Sequence, residues 1–278
     1  MNANDVKSTL GRLGIKPNKL KGQNFLIDDS VLDKIIEAAE ITAGAKVVEI
    51  GPGLGALTSR LLSAGADIVA IEQERAFVEY LRDHFSGQTL DVICDNAVLK
   101  IPDLRLPDRY KVVANLPYSI TSPVINTFLT KMATVPERMV LLIQYEVAQR
   151  LMAPPGDADR GILTVVVEAI GQMSIVTKVP NTAFSPPPKV ESAVIRFDAR
   201  PLSDRIDVTT LMPLVKAGFS KKRAKVINSL AMALRLPKEE IVKACLKAGI
   251  DSNYRAEDLT IDDWKKLNQE LSSHIAPK

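Results

Sequence analysis

Lys46-Val47-Val48-Glu49-Ile50 runs directly into Gly51-Pro52-Gly53-Leu54-Gly55-Ala56, and the reading of this stretch governs that of the whole chain. The β-branched run predicts a buried strand. The glycines after it predict a tight turn whose backbone comes close to a ligand. Ala56 to Ser63 then suits a helix, whose first turn offers unpaired N–H groups. Glu72 closes the next apolar run, Asp67 to Ile71, about 20 residues further on, where an acid accepts both hydroxyls of a ribose. Strand, glycine turn, helix and acid together predict a site for an adenosine-bearing ligand. Gly51, Gly53 and Ala56 also satisfy the dinucleotide fingerprint, so a nicotinamide-dependent dehydrogenase competes. Glu49, directly before the turn, favours a ligand with a cationic amino group and would repel a pyrophosphate. Asp95, after a third apolar run, is placed to bond an adenine amine, although it also suits a helix cap with Asn96.

Outward from this unit, Leu90 to Cys94, Tyr110 to Ala114 and Arg138 to Ile143 read as further strands, and Glu74 to Phe85 as a helix. Such alternation predicts an α/β fold with a parallel, doubly wound sheet. Val31, Leu32, Ile35, Ile36 and Ala39 recur at helical spacing behind Asp28, Asp29 and Ser30 as candidate caps. Met173 to Val179 and Ser192 to Phe197 read as an antiparallel pair at the sheet edge, linked through Pro180 and Pro186-Pro187-Pro188. Beyond Ala199 no strand is evident, and the apolar residues fall at helical spacing. Residues 1–28 carry Lys7, Arg12, Lys16, Lys19 and Lys21 against Asp5 and Asp28, and read as a basic, mostly irregular arm. Three parts are expected: the arm 1–28, a Rossmann-like domain 29–200, and a small all-helical domain 201–278.

Composition excludes several classes. The 278 residues are 46% hydrophobic and 25% charged, which is the balance of a globular chain rather than a disordered or fibrous one. No apolar stretch approaches the roughly 18 to 20 residues of a membrane-spanning helix, and Met1 to Leu10 has no apolar export core, so a cytoplasmic address is expected. Cys94 and Cys245 lie far apart, and His84 and His274 have no ligand spacing around them, so no metal site is expected. The same scarcity of histidine argues against a Ser-His-Asp hydrolase. A net charge of +3 says less than its distribution: Lys216, Lys221, Lys222, Arg223 and Lys225 form a basic run without an acid, which suits phosphate contact or a solvated helix face.

Asn115-Leu116-Pro117-Tyr118 follows the fourth strand. Taken alone it is an ordinary turn. Its place at the carboxyl ends of the strands, beside Glu49, Glu72 and Asp95, gives it a chemical task. An aromatic exocyclic amine is a poor nucleophile because its lone pair is delocalised into the ring. If the Asn115 side-chain oxygen and the Leu116 carbonyl each accept one N–H, the nitrogen turns pyramidal and its lone pair is freed. Pro117 stiffens the turn, and Tyr118 is placed to stack on the base. Phe184, in Ala183-Phe184-Ser185-Pro186-Pro187-Pro188-Lys189-Val190, reads either as a hydrophobic plug or as the second face of a base sandwich.

Glu49, the glycine turn and Asp95 together resemble the S-adenosylmethionine methyltransferase site. With Gly22-Gln23-Asn24-Phe25-Leu26, Asn115-Leu116-Pro117-Tyr118 and Phe184-Ser185-Pro186-Pro187-Pro188-Lys189-Val190-Glu191-Ser192, the chain resembles the ribosomal RNA adenine dimethyltransferase family from about Lys21 onward, most of all its small-subunit KsgA/RsmA type. The resemblance implies transfer of methyl groups from S-adenosylmethionine to two adjacent adenines in the 3′-terminal hairpin loop of 16S ribosomal RNA. It implies an immature small subunit as partner; a monomer is expected. By the same resemblance Gln23, Asn24, Leu26, Glu49, Gly51, Gly53, Glu72, Asp95 and Asn115 hold the methyl donor. Asn115, Leu116, Pro117, Tyr118 and Phe184 form the target-adenine site, and Lys221, Lys222, Arg223 and Lys225 contact RNA. Where the family more often has paired arginines, Lys222-Arg223-Ala224 stands here. The competing readings are a macrolide-resistance methyltransferase of the large subunit, which usually has Ile at the Leu116 position, and an assembly factor for which methylation is secondary. A DNA adenine methyltransferase is disfavoured because that class shows an acidic first residue and two prolines in the tetrapeptide.

Overall fold

The computed structural model describes residues 1–15 and 23–274. The chain divides into two compact units, Met1–Ala148 with Ser174–Ala199, and Gln149–Met173 with Arg200–Lys278. In chain order the elements are α1 (Ala3–Arg12), β1 (Phe25–Leu26), α2 (Asp29–Ala39), β2 (Lys46–Ile50), α3 (Ala56–Ser63), β3 (Asp67–Glu72), α4 (Arg75–His84), β4 (Leu90–Cys94), α5 (Ala97–Lys100), β5 (Lys111–Asn115) and α6 (Thr121–Thr130). They continue with β6 (Arg138–Gln144), α7 (Tyr145–Leu151), α8 (Ile162–Ile170), β7 (Gly171–Val179), β8 (Phe184–Ser185), β9 (Ser192–Ala199), α9 (Val208–Gly218), α10 (Val226–Leu234), α11 (Lys238–Ala248) and α12 (Ile261–Leu271).

The first unit is built on a seven-stranded sheet of order β4-β3-β2-β5-β6-β9-β7. β4, β3, β2, β5 and β6 pair in parallel, while β9 runs antiparallel to β6 from Arg138↔Asp198 to Gln144↔Ser192. The central strands are buried on both faces, with Val47, Val48, Ile68, Ala70, Val112, Val113, Val140 and Leu142 inaccessible to solvent, which is why they read as continuous apolar runs. The strand order reverses between β2 and β5, and this switch point opens a crevice beyond the strand ends. His84 stacks on Tyr80 with ring centres 5.2 Å apart, as a packing residue does.

Two expectations change. The segment expected to be mostly irregular contains α1, whose start is a capping box: the Asn2 side chain accepts from Asp5 N–H, and the Asp5 carboxylate accepts from Asn2 N–H. Val6 and Leu10 of α1 pack with Leu54 and Phe77, so the helix belongs to the core of the first unit. Lys16, Lys19, Lys21 and Gly22 lie outside the described residues. The helical unit also begins earlier than residue 201, because it takes in 149–173. There Arg160, inaccessible through its side chain, forms two 2.6 Å bonds with Glu168, and Arg200 Nη1 donates to the Glu168 carbonyl at 2.6 Å. Further along the same unit, Trp264 is fully buried and stacks on Phe219. Gly218 lies so close against the Trp264 ring that an added Cβ would collide with it.

Candidate active site

Gln23, Asn24, Leu26, Glu49, Gly51, Gly53, Glu72, Asp95, Asn115, Leu116, Pro117, Tyr118 and Phe184 all line one cavity of about 310 Å³ in the first unit. β2, β3 and β5 deliver Glu49, Glu72 and Asn115 at or beside their carboxyl ends. Gly51 N–H donates to the Ile71 carbonyl at 2.9 Å, extending the β2–β3 pairing, and Gly55 N–H donates to the Pro52 carbonyl at 2.9 Å, closing the turn that leads into α3. Gly53 has φ +56° and its N–H meets Glu72 Oε2 at 3.1 Å; a Cβ there would press on the Phe25 ring at 3.3 Å. Gly55, at φ +80°, has no room for a side chain, since a Cβ would lie 2.6 Å from Phe85.

The carboxylates differ in character. Glu49 is 1% exposed and accepts from Thr58 Oγ1 at 2.8 Å. Burial pushes its carboxyl up to about 8; the Thr58 hydrogen bond opposes this shift and the neighbouring Glu72 adds to it. Glu72 is also raised, chiefly by burial, against the opposing N–H donors of Glu74 at 2.8 Å and Gly53. Asp95 is exposed and accepts from Asn96 N–H at 2.7 Å, while Asn96 rather than Asp95 caps α5. No ion pair reaches Glu49 from the described residues, so a cation brought in by a ligand would meet a carboxylate that the protein leaves uncompensated.

At the end of β5, Asn115 Nδ2 donates to the Asn24 carbonyl at 3.3 Å, which fixes the amide orientation and leaves Oδ1 as its acceptor. Leu116 N–H donates to Leu142 O at 3.1 Å, anchoring the tetrapeptide to β6. Pro117 precedes a short 3-10 turn over Tyr118–Ile120. The half-buried Tyr118 hydroxyl lies 2.7 Å from Ser192 Oγ. Phe184 is held by pairing of β8 with β1, opposite Leu26. It belongs to the apolar core and lines the cavity with only 3% of its surface exposed, so the plug and the cavity wall are the same residue.

Sequence reasoning missed Met1, Leu54, Phe77 and Asn96 on the cavity wall. Val6 and Leu10, four residues apart, marked an apolar face on α1, but only the folded chain shows that this face packs on Leu54 and Phe77 with Met1 beside them. Lys221, Lys222, Arg223 and Lys225 lie in the other unit, exposed, between α9 and α10. Arg223 has φ +67°, and Lys225 Nζ donates to Asn253 Oδ1 at 2.6 Å.

A doubly wound sheet with a glycine turn and two buried acids at its switch point is, with the family and structural likenesses that follow, that of a Rossmann-like methyltransferase that uses S-adenosylmethionine as methyl donor. The chain belongs to the ribosomal RNA adenine dimethylase family, whose model matches residues 14–273. It is an enzyme that dimethylates adenine in ribosomal RNA. It is 39% identical over 276 residues to the ribosomal RNA small subunit methyltransferase A of Anaeromyxobacter sp. (strain K), covering 95% of this chain and 97% of that protein. The protein of the same name from Dehalococcoides mccartyi (strain CBDB1) is 37% identical over 94% of this chain and 90% of its own length. Among solved structures, a dimethyladenosine transferase from Plasmodium falciparum superposes with a TM-score of 0.74 at 25% identity, covering 90% of this chain and 98% of that one. The 23S rRNA methyltransferase ErmE superposes with a TM-score of 0.67 at 25% identity, over 90% and 100% of the two chains. Among the described residues no helix is long and apolar enough to cross a membrane.

Proposed function

We propose that the chain dimethylates two adjacent adenines in the 3′-terminal hairpin loop of 16S ribosomal RNA, acting as a cytoplasmic monomer on a small subunit still under assembly. The name shared by its curated relatives supports the small subunit over the large one. The observation that carries the chemistry is the shared cavity, in which Asn115-Leu116-Pro117-Tyr118 stands beside Glu49, Glu72 and Asp95.

S-adenosylmethionine supplies a methyl group already activated on a sulfonium. Glu72 holds the ribose hydroxyls, since each of its oxygens accepts one backbone N–H and keeps a lone pair for a second donor. Asp95 takes the adenine amine of the donor, and Glu49 compensates its positive charge. Gln23, Asn24, Leu26, Gly51 and Gly53 close the rest of the donor pocket. Asn115 Oδ1 and the Leu116 carbonyl accept the two N–H groups of the target amine and hold it pyramidal. Tyr118 stacks on the target base, and Phe184 forms the wall behind it. Placement of two reactants contributes about 7 to 11 kcal/mol, so the site needs no histidine base. Lys221, Lys222, Arg223 and Lys225 bind RNA phosphates.

Asn115→Ala tests these roles. Binding of the donor, read by calorimetry, is expected to stay within a few-fold of wild type, while turnover falls by about two orders of magnitude or more. Turnover at the wild-type level would remove Asn115 from the chemistry.

A further inference from the structure

We propose that Ser192 is a positioning residue that acts through Tyr118 and selectively supports the second methyl transfer to each adenine; this inference rests on the target-site reading above. Ser192 opens β9, is fully buried, and lies 2.7 Å through its hydroxyl from the Tyr118 hydroxyl, 74 positions away in sequence. Its backbone is fixed by the last rung of the β6–β9 ladder, Gln144↔Ser192, and by Tyr145 N–H donating to Glu191 O at 3.0 Å. Tyr118 is thereby held at both ends. Its backbone follows Pro117 in a turn closed by Ile120 N–H on Pro117 O at 3.1 Å, and its ring tip is tied to the sheet. Packing of the ring alone would leave the hydroxyl to water; the buried serine instead specifies one ring orientation.

The chemistry makes that orientation matter unequally. In each transfer the amine nitrogen uses its lone pair to form the N–C bond, the electron pair of the broken C–S bond stays on sulfur, and one amine proton leaves to solvent. Before the first transfer the amine has two N–H groups for the two acceptors, Asn115 Oδ1 and the Leu116 carbonyl. Afterwards one N–H remains, so one acceptor loses its hold and the stacked ring carries more of the alignment.

The test follows appearance of N6-methyl- and N6,N6-dimethyladenosine in unmethylated small ribosomal subunits under single-turnover conditions. Wild type, Ser192→Ala, Tyr118→Phe and the double variant are compared, and binding of S-adenosylmethionine is measured in parallel. Donor affinity and the first-methyl rate of Ser192→Ala are expected to stay within about twofold of wild type, while the ratio of second- to first-methyl rate falls roughly fivefold in each single variant, the order supplied by one hydrogen bond. The double variant should be no slower than either single one, because both remove the same interaction. Equal loss of both methylation rates, or losses multiplying to roughly 25-fold in the double variant, would overturn the proposal. Should Ser192→Ala not fold, Tyr118→Phe keeps the ring and reads the same ratio alone; an unchanged ratio overturns the inference. Wild-type protein that forms no dimethyladenosine would instead overturn the site reading beneath it.

Discussion

Glu49 carries the least comfortable charge in the cavity: buried beside Glu72, its carboxyl is pushed up to about 8 from an ordinary 4.5. A group raised in this way contributes stability that is complete below pH 4.5 and lost as pH rises through about 8. Glu49→Gln without ligand is therefore expected to melt higher than wild type at pH 9, with the difference vanishing toward pH 5. A cationic methyl donor favours the ionised form, so its binding to wild type should release a proton in the window up to pH 8, and binding to Glu49→Gln should not. Melting curves across pH and calorimetry in buffers of different ionisation enthalpy check both statements. Identical pH profiles for the two proteins would contradict them. The carboxylate's position before the glycine turn was legible in the sequence, because side-chain type and motif spacing are local. Its isolation from any cation among the described residues was not, because that depends on what the fold packs around it.

At the scale of elements, β5 and α2 are joined by an uncommon device. Lys111 of β5 is 8% exposed, and its Nζ donates to the carbonyls of Ala39 and Glu40 at 3.0 and 2.6 Å, at the C-terminal end of α2. Burial lowers its pKa, while Glu137 at 3.8 Å opposes that shift. Lys111→Met would leave both carbonyls without this donor and is expected to cost about 1 to 3 kcal/mol in urea unfolding. Equal or greater stability would show that the carbonyls find other partners. The strands β2 to β6 were legible to within a residue or so, because a strand buried on both faces is a continuous apolar run. α1 was not: its basic residues, with Gly11, Gly14 and Pro17 nearby, masked the capping box at Asn2 and Asp5 and the spacing of Val6 and Leu10. α8 was hidden for a different reason, since Val165-Val166-Val167 favours a strand by propensity and is buried almost all round as a helix.

For the whole molecule, the methyl-transfer cavity lies within the first unit, and the basic run within the second. Lys216, Lys221, Lys222, Arg223 and Lys225 are all exposed, and none forms an ion pair with a described residue. If all five meet phosphate, the logarithm of the association constant for ribosomal RNA should fall against log salt with a slope of about −3 to −4. A flat salt series would assign them to a solvated face. The division of labour also explains what the sequence could not supply: motif residues are fixed by local chemistry, whereas the boundary of the helical unit depends on the tertiary packing of 149–173. The account as a whole is tested most directly by incubating the protein with labelled S-adenosylmethionine and unmethylated small ribosomal subunits, with large subunits in parallel, and identifying the methylated nucleosides by mass spectrometry. Dimethyladenosine confined to the small-subunit RNA is the predicted result; label in large-subunit RNA alone, or in neither, would contradict it.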